Sequence, residues 1–272
     1  MSACYLYAIV QAAATPQADL DTVGLGLSDT PLQRIVQDGL AAVVSAWHPT
    51  HNEAAPAADE ADVWRHEQVI EALMERGPTL PVRFGAILAD AARVQELLVT
   101  RRAAFEIDLA HVAGRVEMGL RVLWSPPPPG QVDDATLRPF DKLRTPPFDQ
   151  AQGSQVQDTA EASAGLGRRY LQRRATEQRR EDAVRAQGKA LAAELNARLH
   201  PLAADVHMQV LQSERLLLSA AYLVENASLE AFRSQIEALR RTYPDLSFLA
   251  SGPWPAYHFV SGQSERAYTG MP

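Results

Sequence analysis

The stretch RLLLSAAYLVENASLEAFRSQIEALRRTYPDLSFLA, residues Arg215–Ala250, decides the expected fold, because it predicts a strand, a helix and a second strand in direct succession. The run Arg215–Glu225 has the length and apolar content of a buried strand. In the helix, Ser228 is the expected N-cap and Pro244 the stop. The helix stripe expected to face the core consists of Leu229, Phe232, Ile236, Leu239 and Tyr243.

The segments on either side extend this pattern. DVHMQVLQ, Asp205–Gln212, predicts a strand that pairs with Arg215–Glu225 as an antiparallel hairpin, although the joint Ser213–Glu214 is not a favoured turn pair and leaves the register open. A long helix is predicted before it, from Gly167 to Leu199. After it, LSFLASGPWPAYHF predicts a last strand whose second half is irregular, since proline cannot donate to a sheet ladder.

The first half of the chain also mixes strands with helices. LPVRFGAIL, Leu80–Leu88, predicts a strand that bends, because Pro81 and Gly85 interrupt it. VEMGLRVLW alternates cleanly and predicts a half-buried strand. The other predicted elements are strands at Tyr5–Val10 and Gly39–Trp47, a helix ending at Gly77–Pro78, and a helix over Asp90–Ala110.

Together these elements predict an α+β protein with two ferredoxin-like sandwich domains, each an antiparallel sheet covered by helices. We place an N-terminal domain at 1–124 and a C-terminal domain, including the long helix, at 166–260, followed by a polar tail at 261–272. Residues 125–165 are rich in Pro, Gln, Ser and Asp and repeat the tripeptide PFD. Such a composition buries too little apolar surface to offset its ordering entropy, so we expect a flexible linker or insertion.

The composition and motifs give no indication of catalytic activity. The chain has 272 residues, a formal net charge of −7 and a single cysteine, Cys4, which we expect to pack in the core. It contains no P-loop, nucleophile elbow or Cys-x-x-Cys motif, so we expect no catalytic residues and no cofactor. No apolar run is long enough to span a bilayer and the start lacks a basic leader region, so we expect a cytoplasmic protein.

Histidines provide the only hint of a metal site. His48 and His51 lie near Glu53 in a proline-containing loop, but the loop supplies no evident further ligand, and we expect no metal. His66 lies beside the apolar stripe of its helix and is expected at the boundary of the core.

Isolated charges within apolar strand patterns are costly unless they are paired. Arg83 and Glu117 are two such charges. We expect Arg83 to form an ion pair with a carboxylate of the N-terminal domain, with Glu117 as the first candidate. The alternative is that both residues face solvent, and the alternation of the pattern allows either.

The segment GRRYLQRRATEQRR concentrates six arginines at 168–180. Acidic residues at helical spacing favour a solvated helix face. The alternative is an RNA-binding α+β protein that uses this helix, which would show strongly salt-dependent binding.

Five segments in this order together resemble the gas vesicle GvpL/GvpF family: YLYAIV, LPVRFGAIL, GRVEMGLRVLW, GRRYLQRR and SGPWPAYHF. LPVRFG combined with GPWP-x-Y-x-F is the specific part, and Ala256 stands where the family often has a second proline. The candidate interaction or structural residues implied by these motifs are Pro81, Arg83, Phe84, Gly85, Glu117, Tyr170, Gly252, Pro253, Trp254, Pro255, Tyr257 and Phe259.

The resemblance implies an accessory protein of gas vesicle formation and no enzyme. Such a protein would bind the small, hydrophobic gas vesicle shell protein and other accessory proteins during nucleation or assembly, in the cytoplasm and in association with the vesicle. It implies no nucleic-acid partner. A small-molecule enzyme with a site between the domains ranks last, because the chain offers no nucleophile and base for it.

The aromatic cluster at the end of the chain has two interpretations. Trp254, Tyr257 and Phe259 combine large apolar area with polar handles and would suit a binding surface. Alternatively, they seal the core of the C-terminal domain or dock it on the N-terminal one. Both hold if one ring faces outward and another inward.

Overall fold

Two sheets organise the molecule, and each is built from the same order of elements. The computed structural model describes residues 2–47, 59–124, 158–210 and 215–261, with side chains except at 158–173 and 210. The histidine loop around His48, residues 125–157 of the expected linker, the joint Ser213–Glu214 and the tail from 262 onward lie outside the described residues.

The first sheet has the strand order β2-β3-β1-β4, with β5 also pairing with β1. Its neighbouring strands are antiparallel. The elements up to Val112 are β1 (Ala3–Gln11), α1 (Gln17–Val23), β2 (Leu32–Gln37), β3 (Leu40–Trp47), α2 (Glu60–Met74), β4 (Thr79–Pro81), β5 (Ile87–Leu88), α3 (Ala91–Thr100) and α4 (Arg102–Val112). The patterns did not predict α1 or β2, and the helix expected over Asp90–Ala110 is divided at Arg101.

The second sheet has the corresponding order β7-β8-β6-β9, again with antiparallel neighbours. Its elements are β6 (Arg115–Leu123), α5 (Asp158–Leu199), β7 (Asp205–Val210), β8 (Leu216–Glu225), α6 (Leu229–Thr242) and β9 (Ser247–Trp254). In both halves the sequence β-α-β-β-α-β places the first strand in the middle of the sheet, which is the ferredoxin-like arrangement. The expected α+β class with two ferredoxin-like sandwiches is confirmed.

The position of β6 differs from the expected division of the chain. We placed Val116–Trp124 within the N-terminal domain, yet β6 is hydrogen-bonded to β8 on one side and to β9 on the other. It is the first strand of the second ferredoxin-like unit. Alternation revealed that one face of this strand is buried, but it carries no information about which strands are its neighbours.

The long helix begins earlier than expected. α5 starts at Asp158, inside the stretch 125–165 that we expected to be a linker. The segment DTAEASAG is rich in alanine, whose high helix propensity explains this extension.

The core of the second half lies between one face of its sheet and the helices α5 and α6. Three residues of the predicted α6 stripe are fully buried, and Leu229 and Tyr243 pack at its ends. Ser228 occupies the N-cap position, but its side chain caps no backbone N–H, because a 3-10 turn over Asn226–Ser228 leads into the helix.

Both faces of the first sheet are covered. One face packs against α1 and α2 around Tyr5, Tyr7 and Ile70, and the other packs against α3 and α4 around Phe105. Cys4 is buried in this second cluster, as expected. The same cluster includes Ala221, Leu223 and Phe259 of the second half, so the two halves share a continuous apolar core.

A hydrogen-bond network holds the bend between β4 and β5. The expected bend is confirmed: the chain leaves β4 at Pro81 and turns through Gly85, whose φ of 92° favours glycine. The Gly85 N–H donates to the Tyr5 hydroxyl, which lies 3.0 Å from His66 Nδ1, and His66 Nε2 lies 2.8 Å from the Val82 carbonyl. His66 is fully buried, not at the core boundary as expected.

The burial of His66 should make stability depend on pH. Burial lowers the pKa of His66 from 6.5 to about 4. Between these two values the unfolded chain binds a proton that the folded chain does not, so the free energy of unfolding should fall as the pH decreases through this window. The linkage slope of about 1.4 kcal/mol per pH unit gives a loss of up to roughly 3 kcal/mol. Urea unfolding between pH 4 and 7.5 measures it.

His66→Gln removes this titration, so its stability should start lower at pH 7.5 and vary less with pH. His200→Gln, at an exposed position, is the matched control and should follow the wild-type curve. If the free energy of unfolding varied with pH in the same way for wild type and His66→Gln, His66 would not be the source of the pH dependence.

Candidate functional site

The last described residues follow the second sheet and pack against the first half. We call residues 256–261, which follow the last strand, the clasp. Ala256, Phe259 and Val260 are buried in the apolar cluster beneath α3 and α4. Polar groups on Tyr257, His258 and Ser261 bind three different carboxylates. The clasp therefore joins the two halves by both apolar packing and hydrogen bonds.

Glu117 is the central carboxylate of this junction. Only 5% of the residue is exposed, although it lies on the sheet face opposite the core of the second half. Its Oε2 accepts the backbone N–H of His258 at 3.0 Å, and its Oε1 lies 2.7 Å from His258 Nδ1. A carboxylate removed from water needs such donors, so this contact fixes the course of the clasp.

The hypothesis that Glu117 pairs with Arg83 is wrong. Both oxygens of Glu117 are bound by His258, and Arg83 is exposed on the turn after β4. No ion pair within the described part of the chain includes Arg83. The chain turns between Pro81 and Gly85, and Arg83 is exposed on this turn, whereas a straight strand would place its side chain on one face of the sheet.

Asp108 and Glu67 provide the other two carboxylates. Asp108 is buried on α4 and accepts the N–H and the hydroxyl of Ser261 at 2.8 and 2.9 Å. Glu67 on α2 accepts the Tyr257 hydroxyl at 2.7 Å. Burial is the main cause of the raised pKa values of both Glu67 and Tyr257. The Tyr257 hydroxyl accordingly remains protonated and donates to Glu67.

Sequence reasoning missed Asp108 and Glu67, although each left a signal. With Phe105, Leu109 and Val112, Asp108 lies on the inward stripe of α4, where a carboxylate indicates a buried partner. Glu67 lies at helical spacing to the apolar residues Val63 and Ile70 of α2.

The predicted site residues divide into two groups around this junction. Phe84 and Tyr257 pack against the same cluster as Tyr5, so the LPVRFG turn and the final motif meet there, with Pro81 and Pro255 buried. Pro253 and Trp254 face outward, and Trp254 is 44% exposed. Tyr170 lies on α5, and its side chain is not among those described. Of the three rings of the aromatic cluster, Phe259 is therefore buried, Tyr257 is half-buried and Trp254 is exposed.

Gly252 and Pro253 lie at an irregularity in the edge strand β9. Glu117 pairs with Trp254 and Gly119 pairs with Ser251, so Gly252 and Pro253 face a single residue of β6. The Gly252–Pro253 peptide bond is cis. Gly252 has a φ of 110°, and a Cβ there would lie 2.8 Å from the Glu117 carbonyl oxygen. This explains the position of proline: it lies in a bulge of an edge strand, where no ladder bond is lost.

An open face of the second sheet lies beside the clasp. A cleft of about 430 Å³ opens there between β7 and β9, above Gly119, Ser219 and Ala221. No three His, Cys, Asp or Glu side chains within the described residues are arranged to hold a metal ion. In the same part of the chain, no helix is both long and apolar enough to cross a membrane.

The arginine-rich segment is exposed where its side chains are described, at 174–180. Glu177, Glu181 and Asp182 are exposed on the same stretch of α5.

Removal of the Glu117 carboxylate should weaken the junction. Glu117→Ala leaves two donors of His258 without partners, and we expect a loss of about 2–3 kcal/mol in the free energy of unfolding. Glu106→Ala is the control, because it deletes an exposed carboxylate paired with Arg102 and should cost less than about 1 kcal/mol. Urea denaturation compares them; equal losses in the two variants would refute the role of Glu117.

Gly252→Ala should be destabilising by about 2 kcal/mol or more, because it combines positive φ with a steric clash against the backbone. Gly77→Ala is the matched control, since its nearest contact would be an ordinary 3.7 Å. Thermal melting of both proteins tests this; a Gly252→Ala protein as stable as Gly77→Ala would refute it.

Comparison with known proteins identifies the relatives of this chain. The family described as "Gas vesicle synthesis protein GvpL/GvpF" matches residues 3–261. Gas vesicle protein F2 of Halobacterium salinarum is 27% identical over 81% of this chain and 76% of its own length, and gas vesicle protein L1 of the same organism is 25% identical over 94% and 89%.

Among solved structures, the crystal structure of GvpF from Microcystis aeruginosa aligns over 96% of this chain and 100% of its own, with a TM-score of 0.67 and 19% identity. The GvpF structure from Anabaena aligns over 96% and 97%, with a TM-score of 0.60 and 18% identity. These two structures share the fold. Since the family match spans both ferredoxin-like halves and the clasp, the chain belongs to the GvpL/GvpF family of gas vesicle proteins.

Proposed function

We propose that this protein is a non-enzymatic accessory factor of gas vesicle formation that binds the hydrophobic shell protein and other accessory proteins during nucleation and assembly. It would act in the cytoplasm and in association with the vesicle. The family match supports the gas vesicle context, and the relatives bear the names of gas vesicle proteins.

The observation that carries the binding role is the exposure of Trp254. The other two rings of its motif are engaged: Phe259 is buried, and Tyr257 packs against the Tyr5 cluster and binds Glu67. Trp254 is left 44% exposed, and Leu249, which lines the same cleft, is 55% exposed. Exposed aromatic and aliphatic side chains on one face are typical of protein-binding surfaces.

Two experiments test the proposed function. A host that carries a gas vesicle gene cluster should form no vesicles when this gene is deleted and should form them again when it is restored, as seen by electron microscopy. The tagged full-length chain should retain the shell protein during purification. Normal vesicles in the deletion strain, or no gas vesicle protein on the tagged chain, would overturn the proposal.

Trp254→Ala should separate binding from folding. We expect a smaller loss in the free energy of unfolding than for a buried ring, because 44% of Trp254 is exposed, together with reduced retention of the shell protein. Phe259→Ala is the matched comparison, since its ring is buried and its removal should cost about 3–5 kcal/mol. A Trp254→Ala protein that unfolds as easily as Phe259→Ala would assign the indole to the core.

A further inference from the structure

The open face of the second sheet has a defined shape. At the level of the cleft, its two central strands, β6 and β8, present small side chains at Gly119, Ser219 and Ala221, while Arg121 of β6 stands at one end. Across the sheet, His207 of β7 lies in register with Ser251 of β9, and Gln209 of β7 lies in register with Leu249 of β9. We call this concave surface the trough. Its floor is lowest at Gly119, which has no side chain.

The width of the trough matches one α-helix. The edge strands β7 and β9 are three strand intervals apart, which is about 14 Å at the usual spacing. A helix with its side chains is about 10–12 Å across. An additional strand would pair at a sheet edge and would not lie on this face.

The charge of the trough selects an acidic occupant. Arg121 is exposed at one end of the floor and belongs to no ion pair among the described residues. The nearby carboxylates are already engaged, because Glu117 is bound by His258, and Asp205 Oδ2 lies 3.1 Å from His111 Nε2. The chain as a whole has a net charge of −7, so the exposed arginine attracts an acidic segment locally, against that overall charge.

Apolar contacts complete the chemistry. Leu249 and Trp254 form the wall along β9, and both are exposed.

A ferredoxin-like sheet that binds single-stranded RNA stacks bases on aromatic side chains of its central strands. Here Gly119 and Arg121 on β6 and Ser219 and Ala221 on β8 occupy that face, and none has a ring. The face therefore favours a protein segment over RNA.

We propose that the trough is the docking site for an acidic amphipathic helix of a gas vesicle protein, with a carboxylate of that helix bound to Arg121 and its apolar side chains packed on Leu249 and Trp254. This inference rests on the proposed function and adds the surface and the chemistry of the partner.

A photocrosslinking residue placed at Leu249 of the full-length chain tests the location. It is expressed with the gas vesicle gene cluster, and the same replacement at Ile107, which is 69% exposed on α4, is the control. We expect position 249 to crosslink to a segment of a gas vesicle protein whose apolar residues have helical spacing and which carries at least one carboxylate. We expect no crosslinks from position 107. Crosslinks to RNA, to a second copy of this chain or to a basic segment would overturn the proposal.

Charge reversal tests the recognition. The crosslinked segment is synthesised as a peptide, and its binding is followed by fluorescence anisotropy. Arg121→Glu should weaken binding at least about tenfold, and a peptide with lysine in place of the carboxylate should regain affinity for that variant. Arg233→Glu makes the same charge change at an exposed position of α6, so this variant should bind the peptide as tightly as the wild type does.

The two levels of proposal fail in different ways. If the wild-type chain retains the shell protein but position 249 does not crosslink, or Arg121→Glu binds normally, the trough is not the site and the proposed function stands. If the wild-type chain retains no gas vesicle protein, the proposed function fails and this inference fails with it. Binding of a labelled oligouridine that is lost in Arg121→Glu would favour RNA as the occupant and overturn the proposal.

Discussion

The buried Glu117 carboxylate is the contact on which the arrangement of the two halves depends. It belongs to the second sheet, but the donors that satisfy it come from His258, beyond the end of that sheet. Once His258 is held there, Tyr257 on one side reaches Glu67 of the first half, and Phe259 on the other enters the shared apolar core. A buried carboxylate that is costly to leave without donors thus helps to dictate where residues 256–261 lie.

The same topology is used twice with different results. In the first half, α3 and α4 follow the β-α-β-β-α-β unit and cover the second face of its sheet, so β1 is buried on both sides. In the second half the unit is followed by the short clasp, which covers only the end of the face around Glu117 and Leu223. No described residue covers the remainder of that face, as antiparallel sheets allow, and this surface is the trough.

One short motif therefore serves two purposes. Gly252 and Pro253 form the bulge that redirects the chain, and the residues after Ala256 hold the halves together. Trp254 lies between these parts and faces the trough. The proposed binding surface adjoins this hydrogen-bonded junction, so docking there would require little reordering, which favours affinity.

The sequence by itself determined the fold class and most of the elements, although it left α1 and β2 unpredicted. The apolar stripe of α6, the alternation of β6 and the interrupting Pro81 and Gly85 are local patterns, and each predicted the element that the structure contains. The resemblance to one family also rested on short motifs in order along the chain. These features are encoded by neighbouring residues, within the reach of helical and strand periodicity.

Only the tertiary structure decided the neighbours. β6 pairs with β8 and β9 across an insertion, His258 binds a residue 141 positions earlier, and Ser261 binds one 153 positions earlier. It likewise decided that His66 is buried, that Arg83 faces solvent and that Trp254 remains exposed while Phe259 is enclosed. The physical reason is that a local pattern specifies which face of an element avoids water, whereas the group that covers this face comes from a distant part of the chain.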